Sequence, residues 1–425
     1  MANQSDILGL VAHFLKENNY TQTLHQLELE HGKPIQPQLL NSESLSQIIN
    51  DRLQFSSLAN KPNEEAIDVN DELPLRLKDI IRERFVNWSS RYPQNPVDLN
   101  IHSLVISSVY DKDKESVYFS TNDAQVLIRR GGNLKSVRFH EIIKKVLIVG
   151  KYVALLGMSG KLYLRNGDLD EVGSIDTQSR FTVDAKHVSF RGTDYLVILT
   201  WNHMLKLVKL VNGEFSLVSE TKLDQQGTCF DITTYNDEIV VILGKLENTL
   251  LDVFIVQKEQ FIPKYKISIN DAEFTTSSFS PRYVTISQRP GNDIPLIAVA
   301  TSHEPYMRVI IVSLIDFDSP PSSSIARNQI IKNLNTLSPQ DKFSQPLISW
   351  KLDTNQEKQS GIWVMGEDGI IRGLDIVDDG VVVELSQVDG KGHKTKIKDF
   401  TSFINENGNE VLITSGIDRQ TFEWR

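Results

Sequence analysis

Few residues in this sequence have the types and the spacing that catalysis requires. The run Gly157–Gly160 reads Gly-Met-Ser-Gly, which lacks the Gly-x-Ser-x-Gly spacing of a turn that presents a nucleophilic serine. The run Asp389–Lys396 contains glycine and Lys-Thr, but without the spacing of a phosphate-binding loop. His140 and His303 are each followed by glutamate, and neighbours on a strand point to opposite faces. The sequence therefore predicts no catalytic residues and no enzyme.

A metal or cofactor site is not predicted either. The histidines and acidic residues nowhere form a zinc-binding spacing such as His-Glu-x-x-His. Cys229 is the single cysteine, so the sequence offers no second cysteine for an intrachain disulfide or a cysteine-based zinc site. Sparse cysteine favours a reducing compartment, and we expect a protein of the cytoplasm, the nucleus or both.

Neither secretion nor membrane insertion is expected. No apolar run approaches the roughly 18–20 residues that a membrane-spanning helix needs. The N-terminal run Met-Ala-Asn-Gln-Ser-Asp lacks the basic start of a signal peptide. The composition, 40% hydrophobic and 24% charged, is that of a globular protein.

Six basic residues between positions 129 and 145 form the most electropositive stretch. They are Arg129, Arg130, Lys135, Arg138, Lys144 and Lys145. The stretch would either dock an acidic protein segment or RNA, or remain a solvated loop. The formal net charge of the whole chain is −10, which does not attract nucleic acid. We therefore expect protein partners rather than nucleic-acid partners.

The N-terminal residues have the apolar spacing of two short helices. In the first, one face at the i, i+3, i+4 spacing carries Ile7, Leu10, Val11, Phe14 and Leu15. Asn18 and Asn19 can end that helix, Thr21 can cap the second, and Gly32 can stop it. Isolated helices of this length are marginal in water. The pair must therefore pack on a second copy of the chain or on another part of the same chain.

The same stretch resembles the LisH (Lis-homology) motif. That motif has an aliphatic pair, an aromatic-leucine pair, a glycine-tyrosine turn, and then a threonine, an apolar residue and a glutamate. The sequence departs from it at Asn19, where glycine is usual, and at Leu27, where an aromatic is common. The resemblance implies a helical module within residues 1–58 that joins two or more copies through Leu10, Val11, Phe14, Leu15, Tyr20, Thr23, Leu24, Leu27 and Glu30.

A connecting region follows the helix pair. A third helix is predicted over Ser44–Leu53, within the N-terminal module. Residues 59–95 begin as a polar, acidic linker, and Pro74 can start a further helix. The end of this region could equally begin strand structure, including a strand that closes the next domain.

From about residue 100 the sequence changes to short apolar strands separated by polar turns. Seven such units recur, with turns near Asp123, Ser159, Asn202, Asn248, Glu304, Asp368 and Asp418. Repeated antiparallel units of about 45 residues are typical of β-propeller blades. We therefore predict a mainly β protein whose residues 96–425 form a seven-bladed propeller. A count of six or eight blades also fits the pattern.

The last unit resembles a WD repeat. Gly392-His393, Ser415, Asp418 and Trp424 stand in the order and spacing of that family. The resemblance implies that His393, Ser415, Asp418 and Trp424 form a buried, hydrogen-bonded tetrad. The other units match only in the shape of their pattern, and no Trp-Asp dipeptide occurs.

The resemblance also implies how the ring closes. A WD-type chain ends on the third strand of its last blade, and an earlier segment supplies the fourth. We expect part of Phe85–Ile101 to pair beside Gln420–Arg425, which removes both open edges at once.

One long insertion, at about residues 316–346, interrupts the propeller pattern. It is rich in serine and proline at its start, and we expect a short helix over Ile325–Leu334. Ser319 and Ser338 each precede a proline and are candidate sites for regulatory phosphorylation.

These patterns favour a non-catalytic scaffold or adaptor that self-associates through its N-terminal helices and binds protein partners through the propeller. LisH-plus-propeller proteins also include substrate receptors or scaffolds of ubiquitin ligases and subunits of transcriptional corepressor and chromatin complexes. An RNA-associated assembly factor would use the basic stretch. A propeller enzyme would need a site assembled from distant loops.

Overall fold

The structure is a computed structural model. It describes residues 4–39, 44–46, 48–49, 79–80, 83–88, 92–270, 279–287, 294–314, 325–326, 329–352 and 358–425. The chain divides into two compact units, Met1–Pro74 and Leu75–Arg425. The division falls within the region predicted as a linker.

The first unit begins with a helix pair, α1 (Gln4–Glu17) and α2 (Thr21–His31). Asn19 lies between them with a φ of 60°, the left-handed conformation that asparagine tolerates. Gly32 ends α2 in the same conformation, and its N–H donates to the carbonyl oxygen of Glu28 at 3.0 Å. Of the predicted third helix, Leu45, Ser46, Ile48 and Ile49 are helical, and its other positions beyond Ser44 lie outside the described residues.

The second unit is a β-propeller, whose described residues form seven sheets. Its strands begin with β1 (Pro96–Asp98). Blade 1 contains β2 (Val105–Asp111), β3 (Ser116–Thr121), β4 (Gln125–Arg130) and β5 (Asn133–Arg138). Blade 2 contains β6 (Ile143–Val149), β7 (Tyr152–Gly157), β8 (Lys161–Arg165) and β9 (Glu171–Asp176). Blade 3 contains β10 (Thr182–Phe190), β11 (Thr193–Thr200), β12 (Met204–Val211) and β13 (Glu214–Lys222).

The remaining blades follow the same plan with one addition. Blade 4 contains β14 (Gly227–Tyr235), β15 (Glu238–Lys245), β16 (Leu250–Gln257) and β17 (Gln260–Ser268). Blade 5 contains β18 (Pro281–Ile286), β19 (Leu296–Thr301), β20 (Tyr306–Ser313) and, after the short β21 (Ile325–Ala326), β22 (Ile330–Pro339). Blade 6 contains β23 (Leu347–Trp350), β24 (Gly361–Met365), β25 (Ile371–Asp375) and β26 (Gly380–Leu385). Blade 7 contains β27 (Ile397–Ile404), β28 (Glu410–Gly416) and β29 (Thr421–Trp424).

The first strand of each blade contacts the first strands of the neighbouring blades, so these seven strands line the propeller axis. Apolar side chains of adjacent blades pack against each other away from the axis. Between blades 3 and 4, for example, Leu205 and Leu207 cluster with Phe230 and Val241. The core is therefore distributed among blade interfaces.

The ring closes where the sequence predicted it. β1 pairs antiparallel with β29, placing Pro96 opposite Trp424 and Asp98 opposite Phe422. This strand completes blade 7, so the last segment of the chain is not an open edge. The closing strand lies within Phe85–Ile101, as predicted, and begins just after the 59–95 region.

The insertion differs from its prediction. Residues Ile330–Pro339 form the outer strand of blade 5, so the helix predicted over Ile325–Leu334 is wrong in the described positions. β21 instead pairs parallel with β17 as a fifth strand of blade 4. Ile331, Leu334, Thr336 and Ser338 are buried, and the alternation from Leu334 onward is that of a strand. Ser338 is only 3% exposed, which makes it a poor phosphorylation site, and Ser319 lies outside the described residues.

Candidate interaction surfaces

Most buried residues described in the N-terminal unit belong to the first helix, and Ile35, after α2, is buried as well. Leu10 and Ala12 are buried, whereas the other predicted interface residues of α1 are half-buried: Val11, Phe14 and Leu15. Gly9 lets the chain after α2 cross this helix, because a Cβ there would lie 2.6 Å from Gln38 Cγ. The N–H of Gln38 also donates to the carbonyl oxygen of Gly9 at 3.1 Å. Sequence periodicity did not single out Gly9 or Ala12, since small residues carry no apolar signal.

The second helix contains no buried residue. Leu24 and Leu27 are half-buried, and Leu29 is 61% exposed. The other predicted interface residues here are exposed: Tyr20, Thr23 and Glu30. The motif did not mark Leu29, which is the most exposed apolar side chain of α2. The helix pair therefore presents uncovered apolar side chains.

In blade 7, buried hydrogen bonds tie the loop before β27 to β28 and β29. His393 Nε2 lies 2.9 Å from Thr414 Oγ1, and Trp424 Nε1 donates to the same oxygen at 2.8 Å. His393 Nδ1 lies 3.4 Å from Asp418 Oδ1 in the turn between β28 and β29. The hydroxyl in this cluster comes from Thr414, and the choice of Ser415 from the sequence is wrong. Ser415 points to the other face of the strand, where its Oγ lies 3.0 Å from Thr421 Oγ1.

Asp418 holds its turn through several hydrogen bonds. Burial alone would raise the pKa of its carboxyl, but the His393 contact and the backbone N–H groups of Lys394 and Gln420 outweigh burial. The pKa of Asp418 is therefore lowered, and the carboxylate form is stabilised in the fold.

Other blades have different polar groups near the turn between their second and third strands. In blade 4, the fully buried Lys245 binds Asp224 at 3.0 Å and Asp252 at 2.8 Å. In blade 6, Arg372 pairs with Asp368 at 2.6 Å. Each set joins a strand to a neighbouring strand, turn or loop. Because the residue types change from blade to blade, the repeat pattern is weak in the sequence.

Two family descriptions match this chain. "UCP007778, LisH domain" covers residues 7–36, and "UCP007778, beta-propeller domain" covers residues 67–425. The chain belongs to the UCP007778 family. Its expected organisation, a LisH helix pair and a seven-bladed propeller, is confirmed.

The chain is also similar to a protein of Saccharomyces cerevisiae. "Uncharacterized protein YGR117C" is 25% identical in an alignment of 418 positions that covers 85% of each chain. LisH and propeller domains together are typical of protein-interaction scaffolds.

The UCP007778 propeller does not gather the six predicted basic residues into one patch. β4 and β5 pair Gln125 with Arg138, so Arg138 lies at the opposite end of the blade from Arg129 and Arg130, about 13 and 17 Å away at about 3.3 Å per residue. Several of the charges are also matched within the chain: Arg129 by Glu423 at 2.5 Å, Arg130 by Asp168 at 3.5 Å and Lys145 by Asp184 at 2.9 Å. Lys135 donates to the carbonyl oxygen of Asp168 at 3.4 Å.

Charged side chains line part of the axial channel. Lys145 binds Asp184, and Lys186 lies 3.5 Å from Asp231 and 4.0 Å from Asp184. Burial lowers the pKa of Lys145, but Asp184 outweighs it, so the net shift is upward. These ion pairs join the first strands of blades 2, 3 and 4.

Asp399, in the first strand of blade 7, has no such cation bound to it in the described residues. Its carboxylate accepts a hydrogen bond from the hydroxyl of Ser108. Burial nevertheless raises the pKa of Asp399 to about 6.

Metal-binding side chains do not cluster among the described residues. No group of three or more histidine, cysteine or acidic side chains among them could hold a metal ion. Burial raises the pKa of the Cys229 thiol to about 12, so this thiol is not a nucleophile at neutral pH. No helix within the described ranges is long and apolar enough to cross a membrane.

One face of the propeller carries the turns between second and third strands and the loops that lead into first strands; we call it the upper face. In six blades, the residue after the second strand donates its N–H to the carbonyl oxygen of the residue before the first strand. Trp201 and Phe181 form one such pair, at 3.0 Å, and Ile417 and Lys396 form another. These regular bonds fix the backbone of the upper face, so its exposed side chains occupy defined positions.

Two clefts differ in how well their charges are matched. On the upper face, between blades 2 and 3, a cleft of about 620 Å³ is lined by Lys161, Arg180, Phe181 and Trp201, among others. A larger cleft of about 800 Å³ lies where blades 7 and 1 meet. In that cleft Glu423 is bound by Arg129, and the rings of Tyr110 and Phe403 stack at 3.8 Å. In the larger cleft, the charge of Glu423 is therefore matched by Arg129 of the same chain.

Proposed function

We propose that this protein is a non-catalytic scaffold subunit that self-associates through its N-terminal helices and binds other proteins through its propeller. The observation that carries the proposal is the α2 helix. It has no buried residue, and it belongs to a segment that matches the LisH domain of its family. An uncovered apolar helix pair gains stability when a second copy covers it.

Pairing two chains would change how the propeller binds. Two propellers on one assembly engage a divalent partner with a raised effective concentration and need no new contact for that gain. This supports a scaffold that acts by holding several partners together. The single cysteine supports the further proposal that it works in the cytoplasm, the nucleus or both.

More specific roles use the same two surfaces. A ubiquitin-ligase subunit and a subunit of a corepressor or chromatin complex would each dimerise and present propeller loops, so we do not choose between them. Stoichiometric co-purification distinguishes them by the partner it yields. An RNA-associated role has less support, because the predicted basic residues are dispersed and several are paired.

Co-expression of two differently tagged copies tests self-association directly. We expect one tag to recover the other from the unmodified chain, and Leu29→Glu to abolish that recovery while the propeller stays folded. Gln22→Glu, at another exposed site of α2, is the matched control and should leave recovery unchanged. Failure of the unmodified copies to recover each other would contradict the proposal.

A further inference from the structure

The loop that leads into β10 is pinned at alternate residues. Thr177 and Ser179 are buried, whereas Gln178 and Arg180 point outward. The hydroxyl of Thr177 donates to the carbonyl oxygen of Gly160 at 2.7 Å, and the hydroxyl of Ser179 donates to the carbonyl oxygen of Thr177 at 3.1 Å. These bonds hold the loop in one conformation, so Arg180 and the residue after it are displayed from a fixed base.

Gly160 is what allows this loop to lie so close. Its φ is +90°, and a Cβ at this position would come within 2.6 Å of the backbone nitrogen of Ser179. Lys206 reinforces the arrangement, since its ammonium donates to the carbonyl oxygen of Thr177 at 2.8 Å. The loop is therefore built into blades 2 and 3.

Phe181 is strained and exposed at the same time. Its φ is +56°, a conformation that is unfavourable for a bulky aromatic residue. Its side chain is 76% exposed, so burial within this chain does not offset the strain. Backbone strain kept without a packing gain points to a role outside the folded chain.

Trp201 completes an aromatic pair beside the cleft. The backbone N–H of Trp201 donates to the carbonyl oxygen of Phe181 at 3.0 Å, so the backbones of the two residues are fixed relative to each other. Trp201 is 55% exposed, and both residues line the 620 Å³ cleft. Such a volume lies within the range of about 300–1,000 Å³ that ligand-binding clefts occupy.

The charge of the cleft is positive although the chain as a whole is acidic. Lys161 and Arg180 line it, and within the described residues neither forms an ion pair. Lys161 instead lies 5.1 Å from the ring centre of Tyr163. Asp176 is the one acidic side chain in the lining, and its carboxylate already accepts the N–H of Gln178 at 2.8 Å. The lining therefore keeps a net positive charge. Arg180 is its less opposed cation, because Lys161 lies opposite Asp176 in the pairing of β8 with β9.

We propose that this cleft binds a short segment of a partner protein that combines acidic side chains with an apolar or aromatic anchor. The anchor packs between Phe181 and Trp201, and the acidic groups pair with Lys161 and Arg180. Rigid aromatic and arginine side chains around a pocket are the groups that dominate binding at protein interfaces. The proposal deepens the proposed scaffold function and rests on it, because it names the kind of partner segment that one propeller loop cluster takes.

The test selects ligands from a random-peptide phage library on the immobilised full chain. Enriched peptides are then synthesised, and their affinity is measured by fluorescence anisotropy. We expect acidic peptides with an apolar anchor. We expect Arg180→Glu to weaken their binding about tenfold or more. Their binding should also weaken with added salt, because the pairing is electrostatic.

Phe181→Gly separates a binding role from a structural one. Glycine accepts a positive φ without strain, so this variant should unfold at the same or a higher urea concentration than the unmodified chain. It should nevertheless lose peptide binding. A residue that only supported the fold would show the opposite result, lower stability with binding retained.

Matched controls come from the same propeller. Phe343→Ser removes an aromatic that is 75% exposed in the loop before β23. Lys258→Glu reverses an exposed charge in the turn between β16 and β17, on the opposite face. Both should bind the selected peptides as the unmodified chain does.

Three results would overturn the proposal: no peptide is enriched, the selected peptides bind Phe181→Gly undiminished, or the cleft binds vesicles of phosphatidylcholine and phosphatidylserine through Phe181 instead of peptides. Self-association is measured on the same samples. If copies still associate while the cleft selects no peptide, the cleft assignment fails and the scaffold function stands.

Discussion

The hydroxyl of Thr414 accepts the indole N–H of Trp424 at 2.8 Å across two neighbouring strands of blade 7. His393 binds the same oxygen at 2.9 Å, so one threonine joins the entry loop, the second strand and the third strand. β1 pairs with β29 directly opposite Trp424, which brings the ring closure to the same place. The last blade therefore combines a polar cluster and a closing strand.

Thr414→Val should destabilise the propeller more than Ser415→Ala. Valine keeps the shape of threonine but leaves the N–H of Trp424 and the ring of His393 without their shared partner, at a cost of about 1–3 kcal/mol for a buried polar group. Ser415→Ala removes one contact, with Thr421. The midpoint of urea unfolding, followed by tryptophan fluorescence, compares the two. An equal or larger loss for Ser415→Ala would contradict the assignment.

Val97→Pro should open the ring. Asn95 and Arg425 exchange backbone hydrogen bonds at 3.1 and 3.2 Å, and in an antiparallel ladder the pair two residues on, Val97 and Glu423, does the same. Proline removes the donor at residue 97, while the exposed side chain of Val97 loses little packing. We expect an earlier unfolding midpoint and more aggregation, and Val97→Thr serves as the control. If both variants unfold alike, β1 does not hold the ring.

Lys245→Met should be strongly destabilising. It removes the cation between Asp224 and Asp252 and leaves the buried Asp252 beside only the more distant Lys266, at 3.7 Å. Breaking one side of a buried pair costs roughly 3–5 kcal/mol. Arg191→Met, at an exposed pair with Asp237, should leave the free energy of unfolding almost unchanged, because solvent screens an exposed ion pair. Denaturant titration of both variants compares their losses of stability. Equal losses would show that the ion pairs of Lys245 do not stabilise the fold.

Asp399→Asn should stabilise the chain at neutral pH and not at acid pH. The pKa of Asp399 is raised to about 6 in the fold, above its ordinary value of 3.8, so the folded state disfavours the charged form. The resulting cost is fully present above about pH 6 and shrinks as the pH falls toward 3.8. Unfolding midpoints of the variant and the unmodified chain should therefore converge on acidification. Asp113→Asn, at an exposed site, is the control, and a constant offset across this range for Asp399→Asn would contradict the burial of the charge.

Sequence periodicity predicted the parts of the fold that depend on local repetition. The apolar strands and their turns gave the seven blades, and the helical spacing around Leu10 and Phe14 gave α1. The closing strand was located because an open edge near Trp424 needed a partner.

Other features depend on how strands pair in the folded chain, which local sequence patterns do not show. Ile330–Pro339 has apolar spacing that suits a helix, but β20 offers an unpaired edge and draws the segment into a strand. Thr414 and Ser415 are adjacent hydroxyls, and only the register of β28 shows which one faces Trp424. The cleft beside Phe181 was missed because its residues come from separate loops, and because strain at a positive φ has no signature in a single sequence.

The proposed function depends most on self-association, and light scattering of the full chain measures that directly. We expect a mass of at least two 48.2 kDa chains for the unmodified protein. We expect a folded single chain for Leu29→Glu, because that side chain is 61% exposed and contributes little packing within its own chain. A single-chain mass for the unmodified protein would contradict self-association through these helices.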